Sequence, residues 1–530
     1  MSPMRIFELI LSLLVVALIL PVATRRLPIP PASALILGGM VLAAIPGIPA
    51  VALHPDLIML LFLPPLLMSS AVFTVWRDFR AELRPVLMLA IGAVTFTTWI
   101  VGCAAKWVAP SLPWAACFAL GAIVSPPDAV AAKAVLHHLH LPRRLMTILE
   151  GESLINDASG LLLYRFAVAA ALTGTFHATE AGLSFVWLSV GGVLIGYITG
   201  RMSIWIMKRL QNPHESVLTS FLTAWVTYMI AEHIGVSSVL AVVTCGLVVG
   251  MLQHGVLTAR ARTEIIGVWR FVVTVFETLV FVLIGLSLRG VLGRLGGVGP
   301  ALHEAGPLAL AVVLTVIISR LLWVVPGMLI SLRATPTEGG PALPKSPAAW
   351  IVGWAGMRGV VSLAAALALP EDFPGRDLLL FATFAVIAVT VLFQGSTLGV
   401  VIRWALGSKS HHDTGPQVME LHARLRVSHA SVAYLESLPT DGPLKTEREN
   451  VLAMHRRRLQ VTEHIGESGE ASLEQRRVYF GIALAALAAG RAELLQMHRS
   501  GALHDSILRP LEAELDLEEL RLRRLAGEPP

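Results

Sequence analysis

Apolar stretches of about 20 residues follow one another as far as Ala405, and this feature constrains the fold more than any other. Each stretch can cross a bilayer as a helix, which satisfies its own backbone hydrogen bonds in lipid. The chain is 55% apolar and only 15% charged, with a mean hydropathy of +0.70. One soluble core cannot cover that much apolar surface. The sequence therefore predicts an all-α polytopic membrane protein.

We predict about thirteen transmembrane helices, named spans 1 to 13 in chain order. Their approximate ranges are 7–22, 33–48, 57–76, 85–108, 114–136, 145–172, 181–207, 217–233, 236–252, 266–288, 308–330, 347–369 and 378–405. Basic residues concentrate in alternate loops: Arg25, Arg26, Arg77, Arg80, Arg84, Arg143, Arg144, Lys208, Arg209, Arg260, Arg262, Arg333, Lys345, Arg403 and Lys409. Cytoplasmic loops are the basic ones, so we expect an external N-terminus and a cytoplasmic C-terminus. The expected location is the plasma membrane, which in a bacterium is the inner membrane.

The composition changes after residue 407 to a charged segment that runs to residue 530. Its stretch LEAELDLEELRLRRLAGE combines helical spacing of apolar residues with neighbouring opposite charges. We therefore predict two domains, a transmembrane domain over 1–407 and a helical cytoplasmic tail over 408–530. The net charge of +5 is attributed to loops that flank the membrane, so no nucleic-acid partner is expected.

Several residues that could bind metal are interpreted as structural. Cys103, Cys117 and Cys245 lie in apolar runs without metal-ligand spacing, which favours a packing role. The histidines of 137–140 are interpreted as an interfacial loop, and those of 411–413 as a linker. No cofactor is expected.

Span 5 contains the sequence SPPDAV, which should interrupt its helix. Pro126 and Pro127 have no amide hydrogen to donate, so the helix should break just before Asp128. A break within lipid is tolerated only where protein or a water-filled cavity covers it. Freed carbonyl oxygens beside a carboxylate suit a hard cation, although a simple proline kink is an equal alternative for this motif alone.

A second interruption is predicted seven spans later. Gly353, Gly356 and Gly359 weaken span 12 around Arg358, a cation within an apolar run. An offset of seven spans reverses the direction of the helix, so the two breaks are related as in an inverted repeat. Interrupted helices at corresponding positions of two halves indicate the central binding site of a transporter.

Span 6 supplies the acids. Helical spacing puts four polar residues on one surface: Glu152, Ser153, Asn156 and Asp157. Two carboxylates in a dry site cannot both ionise cheaply, so one needs a counter-ion or a proton. Arg358 is the expected counter-ion, and Arg320 in span 11 is the second candidate. The other carboxylate is then free to bind a proton or a cation, which is the chemistry of an antiporter.

These motifs resemble one known family. The segments FLPPLLMSSAVF, SPPDAV, LPRRLMTILEGESLINDASGLLLYR and GWAGMRGVVSLAAALALP occur in that order. Together they resemble the monovalent cation:proton antiporter-1 family, which includes NhaP-type bacterial exchangers and eukaryotic sodium/proton exchangers. The likeness covers about residues 5 to 405 and does not include the tail.

The resemblance implies an NhaA-like antiporter fold with inverted repeats and two crossing unwound helices. A core of about 85–172 and 308–405 would slide against a dimerisation panel of about 7–76 and 181–288. The expected assembly is a homodimer in the lipid bilayer. The protein would be a secondary active transporter and not an enzyme.

The resemblance also assigns roles to individual residues. Asp157 matches the aspartate that holds ion and proton alternately. Glu152 and Ser153 match residues that contribute to the ion shell, and Asn156 matches the asparagine that orients the site. The remaining matches are Asp128, which acts through water or at helix ends, Arg358, which pairs with the glutamate, Arg320, a second core arginine, and the backbone carbonyl of Pro127, an ion ligand.

Two positions depart from the family pattern. The family commonly has Thr-Asp-Pro at the first break, where this chain has Pro127, Asp128 and Ala129. The carbonyl at 127 remains available but a threonine hydroxyl does not. Glu277 in span 10 also differs, and an ion pair with Arg270 is favoured over a place at the entrance of the ion funnel.

The sequence thus predicts a monovalent cation/proton antiporter that exchanges one Na⁺, or Li⁺, for one proton in pH and sodium homeostasis. Asn156 implies electroneutral exchange, because relatives with a second aspartate at that position generally move charge. A K⁺/H⁺ antiporter is the main alternative, since oxygen ligands alone do not fix ion size. A gated cation channel and an intramembrane hydrolase are weaker alternatives.

Overall fold

A computed structural model describes residues 30–45, 55–128, 141–175, 178–210, 212–331, 345–406, 414–438, 445–467, 471–500 and 505–526, together with Val15, Ile19, Ala132 and Leu503. These residues are helical or irregular, and none of them belongs to a β-strand. The chain separates into two compact units, residues 1–335 with 342–411 and residues 336–341 with 412–530.

The first unit contains fifteen of the described helices. They are α1 (Pro31–Ala44), α2 (Pro55–Phe73), α3 (Trp76–Ala81), α4 (Leu83–Val108), α5 (Trp114–Val124), α6 (Arg143–Thr173), α7 (Ala178–Met207), α8 (Pro213–Ile234), α9 (Ser238–Leu252), α10 (Ala259–Arg294), α11 (Val298–Glu304), α12 (Gly306–Ser331), α13 (Lys345–Trp354), α14 (Val360–Leu367) and α15, which comprises Arg376–Val389, Thr390–Gln394 and Gly395–Leu406.

Eight helices in the described part of the chain are long and apolar enough to cross a membrane. Seven of them coincide with predicted spans 4, 6, 7, 9, 10, 11 and 13. Spans 2 and 3 correspond to the shorter helices α1 and α2, span 8 to α8, and span 12 to α13 with α14. Span 1, apart from Val15 and Ile19, lies outside the described residues, as does most of the second half of span 5. The protein is therefore a multi-pass membrane protein, and the total of thirteen spans stays a prediction.

The second unit contains α16 (Thr414–Ser437), α17 (Lys445–Glu467), α18 (Ala471–Arg499) and α19 (Asp505–Ala526). Arg491 of α18 forms ion pairs with Asp516 and Glu519 of α19, both at 2.6 Å. The eighth membrane-length stretch, Val478–Arg499, lies in α18. Because its length and composition also suit a span, the cytoplasmic location of the tail stays a prediction. The histidine stretches 137–140 and 411–413 lie outside the described residues.

Close packing brings the first break against α6. A Cβ atom added at Gly160 of α6 would lie 2.8 Å from Cγ of Pro126, which is too close for two carbon atoms. The glycine therefore allows the proline ring to rest on the α6 backbone. This contact places the residues after α5 beside the acidic surface of α6.

Two membrane helices contain a turn of π-helix. In α4 the turn is Met88–Ala93, and in α15 it is Thr390–Gln394. Such turns shift the helical register by one residue and are frequent at functional sites. The turn in α15 lies beside the second break, where Thr390 contacts Arg358.

Candidate functional site

The first break follows α5 and leaves carbonyl oxygens that other groups must satisfy. The helix ends at Val124, and Ser125 to Asp128 are not helical. The Ser125 hydroxyl donates to the Ala122 carbonyl at 3.3 Å, which replaces the amide that Pro126 lacks. Beyond Asp128 the structure describes only Ala132 before residue 141.

The second break lies directly against the first. Helix α13 ends at Trp354, residues 356–359 are not helical, and α14 begins at Val360. The Asp128 amide donates to the Met357 carbonyl at 2.7 Å. One Asp128 carboxylate oxygen in turn accepts from the Val360 amide at 3.4 Å, at the N-terminal end of α14. The two interruptions predicted from sequence are therefore joined by one hydrogen bond between backbone groups and one from a backbone amide to the Asp128 carboxylate.

Arg358 connects the two breaks through its side chain. Its Nε atom donates to the Val124 carbonyl at 2.8 Å, and its Nη2 atom donates to the Ser125 carbonyl at 3.2 Å. Its Nη1 atom donates to the Gly356 carbonyl. The guanidinium thus takes up carbonyl groups that the interrupted helices cannot use, which satisfies buried backbone acceptors with a buried cation.

Arg320, and not Arg358, pairs with Glu152. The Nη1 atom of Arg320 lies 2.7 Å from Oε1 of Glu152, and its Nη2 atom lies 3.0 Å from Oε2. Both side chains are about 2 to 3% exposed. The prediction that Arg358 is the counter-ion was wrong, because the carbonyls freed at the breaks already engage its donors. The second candidate, Arg320, holds that position and also donates to the Val352 carbonyl.

Asn156 ties α6 to the first break. Its Nδ2 atom donates to the Pro127 carbonyl at 2.6 Å. Its Oδ1 atom is buried and has no hydrogen-bond partner among the described residues. The asparagine therefore orients the 127 carbonyl and leaves one amide oxygen available within the site. A carbonyl oxygen has two lone pairs, so Pro127 retains the capacity to contact a cation.

Asp157 is the carboxylate of the site that has no fixed partner among the described residues. Its side chain is 7% exposed. In the part of the chain that the structure describes, its carboxylate accepts no hydrogen bond and forms no ion pair. Burial and the negative charge of Asp128 both disfavour ionisation of this carboxyl group. Ser153, one turn earlier on α6, is half-buried. Burying an ionised carboxylate in this state is costly, so the group favours a bound proton or a bound cation.

Charged side chains of both signs meet where the two breaks pack against α6. Two guanidinium groups, Arg320 and Arg358, face three carboxyl groups, Glu152, Asp128 and Asp157. A Cβ atom added at Gly356 would overlap both arginine side chains, so this glycine lets them approach each other. A buried carboxylate such as Asp157 favours a bound proton or a bound cation. The arrangement can therefore hold either species at Asp157.

The remaining predicted site residue is Glu277, which the structure places half-buried on α10. Arg270, two turns earlier, is exposed. Their pairing stays a prediction.

Sequence reasoning missed Thr390. Its hydroxyl oxygen accepts a hydrogen bond from the Arg358 backbone amide at 3.1 Å. A buried threonine within an apolar helix is ordinary, so no signal in the sequence distinguished it from Thr383 on the same helix.

We expect Gly359→Ala to destabilise the protein by about 1 to 3 kcal/mol, because the new methyl group would collide with the Asp128 side chain. The matched control is Gly267→Ala in α10, where an added Cβ atom meets nothing within 4 Å. That variant should be neutral or slightly stabilising, since alanine favours a helix over glycine by about 1 kcal/mol. Thermal unfolding in detergent measures both. Equal stability of the two variants would show that Asp128 does not pack on Gly359.

Known proteins resemble this chain over most of its length. The family described as sodium/hydrogen exchanger, transmembrane, matches residues 10–404. An uncharacterised Na⁺/H⁺ exchanger of Mycobacterium tuberculosis is 32% identical over 98% of this chain and 96% of its own length. A sodium, potassium, lithium and rubidium/H⁺ antiporter of Bacillus pumilus is 34% identical over 74% of this chain and 61% of its own length.

A solved structure has a similar fold. The sodium proton antiporter MjNhaP1 from Methanocaldococcus jannaschii at pH 8 aligns with a TM-score of 0.61. The alignment covers 76% of this chain and 99% of that chain, at 19% sequence identity. At this identity the likeness concerns the path of the helices.

Proposed function

This chain belongs to the sodium/hydrogen exchanger family, and from that premise we propose that it exchanges a monovalent cation, first of all Na⁺, for a proton across the membrane. One observation carries the proposal. Asp157 is a buried carboxylate with no fixed counter-ion in the described residues, and it lies on the helix that binds the Pro127 carbonyl through Asn156.

The proposed exchange uses one carboxylate in two neutral states. Protonated Asp157 carries no charge, and Asp157 with a bound Na⁺ also carries none. The ionised, empty state leaves an uncompensated charge within the membrane, which costs at least about 2.5 kcal/mol. The site therefore crosses between the two sides only when it is loaded, and this coupling makes the protein an antiporter and not a channel.

The proposed ligands of the cation are oxygen atoms. Asp157 supplies the charge, and the other candidates are the Asn156 amide oxygen, the Pro127 carbonyl and the groups of Glu152 and Ser153. Both carboxylate oxygens of Glu152 already accept hydrogen bonds from Arg320. We therefore propose that Glu152 mainly holds the site together and does not mainly coordinate the cation. Asp128 caps α14 and adds negative charge that attracts a cation.

Alternating access, the division into a sliding core and a dimerisation panel, and the homodimer are parts of the same proposal. Family membership supports them. The orientation, with the N-terminus outside and the tail in the cytoplasm, rests on the distribution of basic residues between loops.

Potassium exchange is the second candidate. The name of the Bacillus pumilus relative includes potassium and rubidium with sodium and lithium. A site of neutral and acidic oxygen atoms does not by itself exclude a larger ion. The proposal for this chain is therefore Na⁺ first, with Li⁺ and K⁺ as ions to be ranked.

Proton flux in reconstituted vesicles tests the proposed function. The protein is reconstituted into liposomes with a pH-sensitive dye inside, an acid interior is established, and Na⁺, Li⁺ and K⁺ chloride are added in turn. We expect alkalinisation of the lumen with at least Na⁺, and none with choline chloride or in liposomes without protein. No cation-dependent proton flux with any of the three ions would refute the proposal.

Membrane potential should not drive the exchange. A swap of one Na⁺ for one H⁺ moves no net charge, so a potential imposed by a thiocyanate gradient should leave the initial rate unchanged in either polarity. Each net charge moved per cycle would instead contribute about 2.3 kcal/mol per 100 mV. A rate that rises with one polarity and falls with the other would contradict the one-for-one stoichiometry.

A further inference from the structure

The hydroxyl of Thr390 satisfies an amide that no helix can satisfy. The backbone N–H of Arg358 lies in the non-helical segment between α13 and α14, outside the hydrogen-bond ladder of either helix. Thr390 and Arg358 are both fully buried. Leaving such a buried amide without a partner destabilises the fold. The Thr390 oxygen, 3.1 Å away, is its acceptor.

The π-helical turn and a second hydrogen bond fix the direction of that hydroxyl. The turn Thr390–Gln394 begins at this residue, where the preceding helical stretch of α15 ends at Val389. The Thr390 hydroxyl donates its one hydrogen to the Ile387 carbonyl at 3.3 Å. Its lone pairs are then directed away from Ile387, which suits them to accept from Arg358.

The contact reaches the ion site through the two breaks. The residues next to the Thr390 contact hold the first break, since the Met357 carbonyl accepts the Asp128 amide and the Arg358 side chain engages the carbonyls of Val124 and Ser125. That segment carries the Pro127 carbonyl, which Asn156 binds. Thr390 is therefore two contacts away from the segment that carries the Pro127 carbonyl.

We propose that Thr390 is a positioning residue that sets the affinity of the site for its cation. The inference rests on the proposed function, because affinity is measured as cation-dependent proton flux. Loss of the hydroxyl releases the Arg358 amide and lets the paired breaks shift relative to α6. Misplacement of a ligand by a fraction of an ångström weakens coordination of a small cation more than that of a larger one.

The test compares three variants in vesicles with the parent protein. Thr390→Val keeps the shape and removes the acceptor, and Thr390→Ser keeps the acceptor. Thr383→Val is the matched control, because Thr383 lies on the same helix, is equally buried, and its hydroxyl has no partner among the described residues. The measured quantities are the half-saturating concentrations of Na⁺ and Li⁺ and the maximal rate, each at several pH values.

We expect Thr390→Val to raise the half-saturating Na⁺ concentration roughly tenfold, the equivalent of one lost hydrogen bond. The ratio of Na⁺ to Li⁺ affinity should change as well. Thr390→Ser and Thr383→Val should behave as the parent. A purely structural role would instead lower the amount of folded protein and the maximal rate while the half-saturating concentrations and their ratio stay constant, and that result would overturn the inference.

Two further outcomes can be distinguished: the parent protein shows no flux, or Thr390→Val does not fold. If the parent shows no cation-dependent flux, the proposed function fails. Faster hydrogen–deuterium exchange over residues 355–361 in Thr390→Val than in Thr383→Val would then still support the backbone contact, and equal exchange would overturn it. If Thr390→Val does not fold, Thr390→Cys takes its place, because its thiol is only a weak acceptor. Its half-saturating Na⁺ concentration should lie above that of Thr390→Ser and below ten times the parental value.

Discussion

Asp157→Asn should abolish cation-dependent proton flux while the protein keeps its fold. An amide has nearly the same volume as the carboxyl group but cannot release a proton or neutralise a cation. The native carboxylate forms no ion pair with the described residues, so the substitution breaks none of the contacts that hold the helices together. It also removes repulsion with Asp128. We therefore expect thermal stability equal to or above that of the parent.

The measurement is dye-reported flux in vesicles together with thermal unfolding in detergent. Asp377→Asn is the matched control, because it makes the same chemical change at a partly exposed ion pair with Arg294, 3.0 Å away. Such pairs contribute about 0 to 1 kcal/mol, and this one lies outside the proposed site. The control should transport normally. Near-parental flux from Asp157→Asn would remove Asp157 as the carrier.

Glu152→Gln should cause the largest loss of stability among conservative changes in the membrane domain. The substitution leaves the Arg320 guanidinium buried without an opposite charge. Removing one partner of a buried ion pair typically costs about 3 to 5 kcal/mol. Replacing both partners by apolar residues is often neutral or stabilising, so Glu152→Leu with Arg320→Met should recover much of the loss.

A double-mutant cycle identifies the partner of Glu152. Coupling between Glu152→Gln and Arg320→Gln should exceed about 2 kcal/mol, because the two groups share two short hydrogen bonds. Coupling between Glu152→Gln and Arg358→Gln should be clearly smaller. If the second coupling is the larger one, the arrangement described for the two arginines is incorrect.

Much of the site could be predicted because its elements follow from local rules. Proline has no amide hydrogen, so the end of α5 before Ser125 follows from Pro126 and Pro127 alone. Helical spacing places Glu152 and Asn156 on one surface of α6 without reference to any other helix. Apolar length gives most of the membrane helices, because lipid thickness sets it.

The partner of each arginine could not be predicted in this way. The reach of a long side chain covers several acceptors, and the choice depends on which backbone groups the rest of the fold leaves unsatisfied. At Arg358 the acceptors are the carbonyls of Val124 and Ser125. These carbonyls lack an amide partner only because the facing helix is broken. Glu152 was therefore left to Arg320. Thr390 escaped prediction for the same reason, since its partner is an amide in the non-helical segment between α13 and α14.

Proton release on sodium binding most directly tests whether one buried acid serves two ions in turn. Purified protein in weakly buffered detergent solution is titrated with NaCl near neutral pH, while a pH indicator counts protons and calorimetry counts bound Na⁺, with choline chloride and the Asp157→Asn protein as references. The account predicts about one proton released for each Na⁺ bound at saturation, and none from the references. Saturable Na⁺ binding to the parent protein without proton release would contradict it.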